Sequence, residues 1–253
     1  MAKRIGYWVF RAVRAMVKLV YRDTRLMGLE NLPEGACVIV GNHSQMNGPI
    51  MAELFIPGDR AIWCNAQMMH LKEVPDYAYA DFWSKKPAWS RWFYRLLSYI
   101  IAPLSVSIFN NAHCIGVYHD TRIIATLRQS LARLKAGAKI VIFPETDPPF
   151  NHVLYTFHDR FIDIGRLYAH QAKQPLAFVP MYICPRLKRA VFGAPITYDP
   201  SADPDQERRR VCAALQQAIT DLADSQPPHR IVPFRNIPRR LYPMNKPGAA
   251  KKP

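Results

Sequence analysis

The chain has 253 residues and a formal net charge of +15, with 49% hydrophobic and 21% charged residues. This composition excludes an intrinsically disordered chain, and the length is sufficient for one α/β domain with a sizeable core. Five cysteines without any Cys-x-x-Cys pair argue against a disulfide framework or a zinc ribbon and fit a reducing cytosol.

The basic residues are concentrated at the two ends of the chain. Residues 1–28 contain seven Lys or Arg with Asp23 as the one acid, and residues 225–253 contain seven Lys or Arg with no acid. Such a balance favours an anionic partner, either acidic lipid headgroups or nucleic acid. Nucleic acid is the weaker alternative, because basic and aromatic residues do not interleave in a recognised binding module.

Residues 3–22 contain no proline and predict an amphipathic helix. One arc of its helical wheel is basic, with Lys3, Arg4, Arg11, Arg14, Lys18 and Arg22. The opposite side is apolar, with Ile5, Val9, Val13, Met16, Leu19 and Val20. This pattern is typical of a helix lying in a membrane interface, and the alternative is that its apolar face packs on its own domain.

The sequence shows no secretory signal, because no small-residue cleavage site follows the first apolar stretch. It also contains no run of about 18–20 uncharged apolar residues, which a spanning helix would need. The nearest candidate, residues 96–109, is too short and contains Pro103. Residues 75–110 are rich in aromatic side chains, which either pack between helices or face lipid. The sequence therefore predicts a peripheral or monotopic membrane protein.

Apolar runs and capping residues predict alternating strands and helices. The predicted strands are 36–40, 60–64, 115–118, 138–143, 176–183 and a short one near Ala190. The predicted helices are 120–136, 160–172 and 203–224. This alternation indicates the α/β class. We divide the chain into a membrane-interface helix (1–27), an α/β domain (28–224) and a basic, Pro-rich tail (225–253) that is extended over the surface or disordered.

Three predicted strands end in polar groups, as expected of a site built at one edge of a sheet. Residues 41–44 read Gly-Asn-His-Ser, residues 143–147 read Phe-Pro-Glu-Thr-Asp, and residues 179–181 read Val-Pro-Met. In order and spacing these motifs resemble the 1-acylglycerol-3-phosphate acyltransferase family and its glycerolipid acyltransferase relatives. The resemblance extends over residues 28–200.

The resemblance implies a single α/β domain with a mixed central sheet flanked by helices, behind the N-terminal amphipathic helix. It also implies an acyltransferase at the cytoplasmic face of the membrane. A fatty acyl group would pass from acyl-CoA or acyl carrier protein to a hydroxyl of a glycerolipid-type acceptor. No bound cofactor and no metal site are expected, and the expected partners are an anionic membrane surface, the acyl donor and a lipid acceptor.

His43 is the implied general base, which takes the proton from the acceptor hydroxyl as that hydroxyl attacks the thioester. The family places an orienting Asp shortly after this histidine, and Gly48 stands at the matching position. Loss of the orienting carboxylate costs about 10⁴-fold in a related serine–histidine–aspartate system. The missing Asp is therefore the main departure of this chain from the family.

Three explanations of that departure are open. Asp147 or Glu145 from the facing strand end could replace the missing carboxylate, and we favour Asp147 because two departures could compensate each other. His119 or Asp120 in the second block could replace it instead. In the third explanation, the protein is catalytically impaired and binds lipid or acyl chains.

The remaining candidate residues are expected to bind substrate. They are Asn42, Ser44, Asn47, Gly48, His119, Arg122, Thr146 and Pro180. The family carries an arginine after its Phe-Pro-Glu-Gly-Thr motif, and this chain has none there, so Arg122 is the nearest candidate for a phosphate. The acceptor is therefore expected to differ from lysophosphatidate and to be a neutral or cationic alcohol or amine.

Overall fold

The computed structural model describes residues 2–84, 86–118 and 120–246, without the side chains of residues 2–4 and Asp147. The helices are α1 (Ala2–Val20), α2 (Asn47–Phe55), α3 (Val74–Ala78), α4 (Arg91–Asn111), α5 (Ile123–Lys135), α6 (Asp163–Ala172) and α7 (Pro204–Asp224). The strands are β1 (Arg25–Met27), β2 (Cys37–Gly41), β3 (Arg60–Asn65), β4 (Cys114–Val117), β5 (Lys139–Ile142), β6 (Glu145–Phe150), β7 (Tyr155–Phe157), β8 (Ala177–Cys184), β9 (Arg189–Phe192) and β10 (Ile196–Thr197).

Capping residues that are recognisable in the sequence define several helix ends. The Asp203 carboxylate accepts the backbone N–H of Gln206 at 2.9 Å, and α7 begins at the next residue, Pro204. Gly137, with φ of +85°, follows the end of α5 in the left-handed conformation that glycine adopts without strain. The predicted helices at 120–136, 160–172 and 203–224 are therefore confirmed to within a few residues.

The chain divides into two compact units, the first formed by Met1–Val20 and Ala61–Ser130 and the second by Tyr21–Arg60 and Leu131–Pro253. In the second unit the strands lie in the order β1-β9-β8-β2-β5, and β10 pairs with β8. Strand β2 is parallel to both β5 and β8, whereas β9 and β10 are antiparallel to β8. The predicted α/β class with a mixed sheet is confirmed.

The central strands of the second unit are buried on both faces. Residues Cys37 to Val40 of β2 have 0% exposure, and β5 and β8 are similarly apolar. Helix α7 packs on this sheet through Val211, Leu215 and Ile219, which recur at intervals of four residues and so share one helix face. Burial of this helical face and of the continuous apolar strands forms the core of the second unit.

In the first unit, α1 packs against α4, and β3 pairs with β4 in parallel. The contact is close at Gly6, whose carbonyl accepts the Ser107 hydroxyl at 2.9 Å. A Cβ at Gly6 would lie 3.2 Å from the same hydroxyl, so a larger residue would push the two helices apart. The predicted N-terminal helix is confirmed.

Helix α4 has the reverse of the usual pattern of a helix in a water-soluble protein. Its buried residues are small, namely Ser98, Ala102 and Ser105. Large apolar side chains are exposed instead: Trp92 70%, Phe93 49%, Leu96 53%, Tyr99 57%, Ile100 63% and Leu104 43%. Among the described residues, one helical stretch, Ala88–Asn111, is long and apolar enough by length and composition to cross a membrane, and 17% of an apolar 18-residue segment within it is buried. The stretch contains Arg91 and Arg95, so it is not the uncharged apolar run of about 18–20 residues whose absence the sequence predicts.

The apolar side of α1 is also exposed. Ile5, Met16, Leu19 and Val20 are 60–76% exposed, whereas Phe10 is buried at 8%. The contact with α4 therefore uses a different part of α1 from its predicted apolar face. Most of the predicted apolar face is thus exposed, with Val13 partly buried, and its contact with a membrane stays a prediction.

Candidate functional site

The carboxyl ends of β2 and β5 lie side by side in the second unit. Val40 is paired with Ile142 in the parallel register, so the residues that follow the two strands leave the sheet at the same edge. This brings His43 and Glu145 together, as the sequence motifs predict. Strand β8 continues to Cys184, so Pro180 lies within a strand opposite Val40 and not at a strand end.

Asn42 extends the pairing of β2 and β8 with its side chain. Its Oδ1 accepts the backbone N–H of Ile183 at 2.6 Å, and its Nδ2 donates to the Ile183 carbonyl at 3.0 Å. Asn42 is 2% exposed. Each polar atom of the buried amide thus has a partner, so the visible role of Asn42 is to fix the point at which His43 leaves the sheet.

A tight turn follows His43. Ser44 and Gln45 have φ values of 48° and 54°, a left-handed conformation that non-glycine residues seldom adopt. The backbone N–H of Gly48 donates to the His43 carbonyl at 3.0 Å and closes the turn. Asn47 holds the turn from outside, because its Nδ2 donates to the Ser44 carbonyl at 2.8 Å and its Oδ1 accepts the Tyr21 hydroxyl at 2.7 Å.

This turn leaves no room for a side chain at Gly48. A Cβ there would lie 2.5 Å from the His43 carbonyl oxygen, 2.9 Å from a ring carbon of Phe143 and 3.1 Å from the Asn42 carbonyl oxygen. Two of these neighbours are backbone atoms, which cannot move away independently. The position that carries the orienting Asp in the family is therefore closed to any carboxylate in this structure.

Glu145 contacts the backbone of His43 and not its imidazole ring. Its Oε1 accepts the His43 N–H at 2.8 Å, and its Oε2 accepts the Tyr155 N–H at 2.9 Å. The carboxyl is buried, and burial raises its pKa to about 7, although the two hydrogen bonds act in the opposite direction. Glu145 thus ties the turn that carries His43 to the hairpin formed by β6 and β7.

The shifted pKa of Glu145 predicts a pH dependence of stability. The folded state holds the Glu145 proton up to a pH of about 7, whereas the ordinary value for the group is 4.5. Its contribution to the free energy of unfolding is therefore fully present below pH 4.5 and is lost as the pH rises to about 7. We expect the difference in unfolding free energy between wild type and Glu145→Gln, measured by urea denaturation, to fall across this range and to stay level above it.

The subtraction is needed because the lowered pKa of His43 acts with the opposite sign and is present in both proteins. A difference that does not change with pH would show that the Glu145 proton is held no more tightly in the folded protein than in the unfolded chain.

The His43 imidazole is partly exposed and lies between two aromatic rings. Phe143 and Phe234 contact it edge-on, with centroid distances of 5.6 and 5.2 Å. Its Nδ1 is buried and has no hydrogen-bond partner in the part of the chain that the structure describes. Burial lowers the pKa of His43, and backbone groups of Gln45 and of His43 itself act in the opposite direction. The ring is therefore neutral at neutral pH, which is the state a general base requires.

Phe234 belongs to a segment that the sequence predicts as extended or disordered. We call residues 225–246 the C-terminal strap. Buried polar bonds anchor it: the Tyr182 hydroxyl and His229 Nε2 are 2.7 Å apart, and His229 Nδ1 donates to the Pro227 carbonyl at 2.8 Å. Asn245, 0% exposed, donates to the Ala223 carbonyl and accepts the His229 N–H. The strap is thus a packed part of the second unit, and residues 247–253 lie outside the described chain.

The strap also contacts the turn after His43. The Gln45 Nε2 donates to the Tyr242 hydroxyl at 3.0 Å, and the rings of Phe234 and Tyr155 are 6.4 Å apart. Phe234 and Tyr242 are the site residues that sequence reasoning missed. No motif marks them; the available signal was a pair of aromatic residues in a basic, Pro-rich tail.

We expect Phe234→Ala to raise the pKa of His43 toward its ordinary value, because loss of the ring admits more water to the imidazole and reduces the desolvation that lowers this pKa. The titration of the His43 ring can be followed by NMR. Phe150→Ala is the matched control, since Phe150 packs on Tyr155 at 4.8 Å and makes no ring contact with His43 within the described residues. An unchanged His43 pKa in Phe234→Ala would mean that Phe143 and the turn alone keep water away.

The other candidate residues are less closely tied to His43. Ser44 is buried and its hydroxyl has no partner among the described residues. Thr146 follows Glu145 in β6 and is partly buried. The Asp147 side chain and the whole of His119 lie outside the described part of the chain, so their predicted roles stay predictions.

Arg122 belongs to the first unit and is engaged locally. Its guanidinium makes three hydrogen bonds of 2.7–3.0 Å to the Asp120 carboxylate and stacks on the Tyr118 ring, 3.4 Å from the centroid. A phosphate would have to compete with this bidentate ion pair. The structure therefore gives no support to Arg122 as a ready phosphate ligand.

A cavity of about 310 Å³ lies at the other end of the strands. Its lining includes Leu32, Glu34, Pro57, Gly58 and Lys139. Lys139 begins β5 and Glu34 precedes β2, so the cavity is at the amino edge of the sheet, whereas His43 is at the carboxyl edge. Within the described residues, no group of three His, Cys, Asp or Glu side chains is placed to hold a metal ion.

These features define an α/β protein with a partly exposed, neutral histidine at the carboxyl edge of a mixed sheet. No protein-family model matches the chain, and no curated protein matches it. Among solved structures, the fold is similar to that of the 1-acyl-sn-glycerophosphate (LPA) acyltransferase PlsC from Thermotoga maritima. The TM-score is 0.48 with 14% sequence identity, over 88% of this chain and 83% of that chain.

Proposed function

We propose that this protein is a lipid acyltransferase that uses His43 as a general base at a membrane surface. The observation that carries the proposal is a neutral, partly exposed imidazole held at the sheet edge by a buried backbone clamp. The motif order around that edge, which resembles glycerolipid acyltransferases, supports the same conclusion. The donor is acyl-CoA or acyl carrier protein, and the acceptor is a glycerolipid-type hydroxyl.

The proposed step needs no covalent acyl-enzyme. Since Nδ1 is buried, Nε2 is the nitrogen available to a substrate. It takes the proton from the acceptor hydroxyl while the hydroxyl oxygen forms a bond to the thioester carbonyl carbon. The tetrahedral intermediate then expels the thiolate, the C–S bond breaks, and the imidazolium returns the proton to the sulfur. The products are an ester and a free thiol.

A second candidate function rests on the buried Nδ1 of His43, which has no hydrogen-bond partner among the described residues. A tautomer with a basic Nε2 carries its proton on Nδ1, where no carboxylate accepts it in the described part of the chain. A buried donor without a partner costs about 1–3 kcal/mol, which disfavours the catalytic tautomer. A member of this class that binds lipid or acyl chains without turnover would have such a site.

Thiol release separates the two candidates. Purified protein is mixed with acyl-CoA and lipid vesicles that contain one hydroxyl acceptor at a time, and free thiol and new lipid are measured together. The proposal expects equimolar thiol and ester. We further expect neutral acceptors to be used better than lysophosphatidate, because apolar rings flank His43 and Arg122 is paired with Asp120. Binding of vesicles without thiol release from any thioester would favour the second candidate.

Membrane association is supported by the exposed apolar surfaces of α1 and α4 in the first unit. A set of large side chains of this kind on a protein surface marks an interaction site. Trp89 and Trp92, which are 80% and 70% exposed, have the amphipathic character of residues at membrane interfaces. Arg11, Lys18 and the other basic residues of α1 add attraction to anionic headgroups.

We expect Trp92→Ser to reduce flotation with anionic vesicles, because it removes apolar surface that would be buried in lipid. The measurement is the floated fraction on a density gradient, with anionic and zwitterionic vesicles compared. Met27→Ser in β1 removes an exposed apolar side chain from the second unit and serves as the control. Equal flotation of wild type and Trp92→Ser would remove α4 from the membrane-binding surface.

A further inference from the structure

The C-terminal strap carries two arginines close in sequence to its contact with the turn that follows His43. Arg239 and Arg240 lie in a short 3₁₀ turn (Arg239–Leu241), and the next residue, Tyr242, accepts a hydrogen bond from Gln45. Gln45 is two residues from His43. Both arginines are exposed. Two exposed cations thus stand two and three residues before the contact between the strap and this turn, which we call the rim of the site, on a strap that is itself fixed by buried contacts.

The two guanidinium groups have no counter-ion within the described residues. Neither makes an ion pair or a side-chain hydrogen bond there, and residues 225–253 contain no Asp or Glu. Adjacent like charges repel each other, and an anion that bridges them would relieve this repulsion. Guanidinium is also the side-chain group best matched to phosphate, because it offers paired N–H donors in one plane.

Given the acyl transfer proposed above, we propose that Arg239 and Arg240 bind the phosphate groups of a coenzyme A thioester. In such a donor the phosphates are separated from the thioester by the pantetheine arm. The thioester can therefore reach His43 while the phosphates stay at the rim. The immediate surroundings of the imidazole, Phe143 and Phe234, are apolar and suit the acyl chain and thioester better than a phosphate.

Binding of free coenzyme A tests this assignment without any need for turnover. The dissociation constants of coenzyme A and of pantetheine, which lacks the phosphates, are measured by calorimetry at two salt concentrations. For the Arg239→Ala/Arg240→Ala variant we expect coenzyme A to bind about tenfold more weakly or worse, with a smaller salt dependence, and pantetheine binding to be unchanged.

The control is Arg166→Ala/Arg209→Ala, which removes two exposed arginines from α6 and α7 and the same total charge. An equal loss of coenzyme A affinity in the two double variants would show that the effect comes from net charge alone and would overturn the proposal. Unchanged coenzyme A binding in Arg239→Ala/Arg240→Ala would overturn it as well.

Turnover distinguishes the arginine assignment from the proposed function. The rim variant should raise KM for acyl-CoA with kcat retained, and should leave KM for the acyl N-acetylcysteamine thioester unchanged. If wild type releases no thiol from either donor, acyl transfer fails while coenzyme A binding still decides the role of the arginines. The rim variant could instead show a higher KM for a phosphorylated acceptor, or a smaller floated fraction with anionic vesicles, while its coenzyme A binding stays intact. Either result would mean that the arginines bind another anion and that the assignment is wrong.

Discussion

His43→Ala should lower thioester-dependent acyl transfer by about 10²–10⁴-fold, the usual contribution of a positioned general base. The protein should remain folded, because the buried Nδ1 makes no hydrogen bond whose loss would weaken the described structure. His170→Ala is the matched control, since His170 is exposed on α6 and makes no described contact with the site. Thiol release and new lipid are measured for all three proteins.

The pH profile gives an independent check of the same assignment. Burial lowers the pKa of His43, so the neutral base persists at pH values below the ordinary 6.5. The acid limb of kcat/KM should therefore lie below pH 6.5 and be absent from any residual activity of His43→Ala. Full activity in His43→Ala would show that another group removes the proton. Complete inactivity of wild type with every thioester would leave lipid binding as the function.

An Asp introduced at position 48, where the family that the motifs resemble carries its orienting Asp, should disrupt the site and not improve it. Any side chain at Gly48 would overlap the His43 carbonyl oxygen, which would lie 2.5 Å from the new Cβ. We expect Gly48→Ala to lower the free energy of unfolding by about 1–3 kcal/mol, the usual cost of overpacking. Gly48→Asp should cost more, since it also buries a carboxylate. Both variants should lose activity, because the turn that carries His43 must open.

Gly35→Ala is the control for this pair, because a Cβ at Gly35 has nothing within 4 Å. Its unfolding midpoint in urea should match that of wild type. A lower midpoint in Gly48→Ala is then caused by the clash of the new Cβ and not by the general effect of replacing a glycine with alanine. A folded Gly48→Asp protein with higher activity than wild type would contradict the prediction that a side chain at position 48 disrupts the site. It would show that the turn relaxes and that the family dyad can be rebuilt here.

Local structure was largely predictable from the sequence. The buried strand predicted at 36–40 is β2, Cys37–Gly41, and the capped helix predicted at 203–224 is α7, Pro204–Asp224. The hairpin of β6 and β7 was missed, because prolines at 144, 148 and 149 are a poor strand signal. Helix α2 was missed for a related reason: Gly48 and Pro49 fall in its first turn and conceal its start.

The convergence of His43 and Glu145 was also predictable, since carboxyl ends of neighbouring parallel strands share an edge. Their relationship was not. Sequence reasoning considers Glu145 as a partner of the imidazole, whereas both of its oxygens accept backbone N–H groups. Spacing places a side chain near another element, but hydrogen-bond direction depends on the turn, which is set by left-handed Ser44 and Gln45.

The sequence by itself determined the α/β class, the helix ends and the amphipathic first helix, because each depends on neighbours in the chain or on period. The choice of His43 came from the resemblance of the motifs to a known family and stays a prediction. Only the tertiary structure decided that Gly48 excludes a side chain, that Phe234 contacts the His43 ring and that Tyr242 of the strap bonds to Gln45. Phe234 is 191 positions from His43 in the chain. Such contacts follow from packing of the folded chain, and no local pattern of residue types records them.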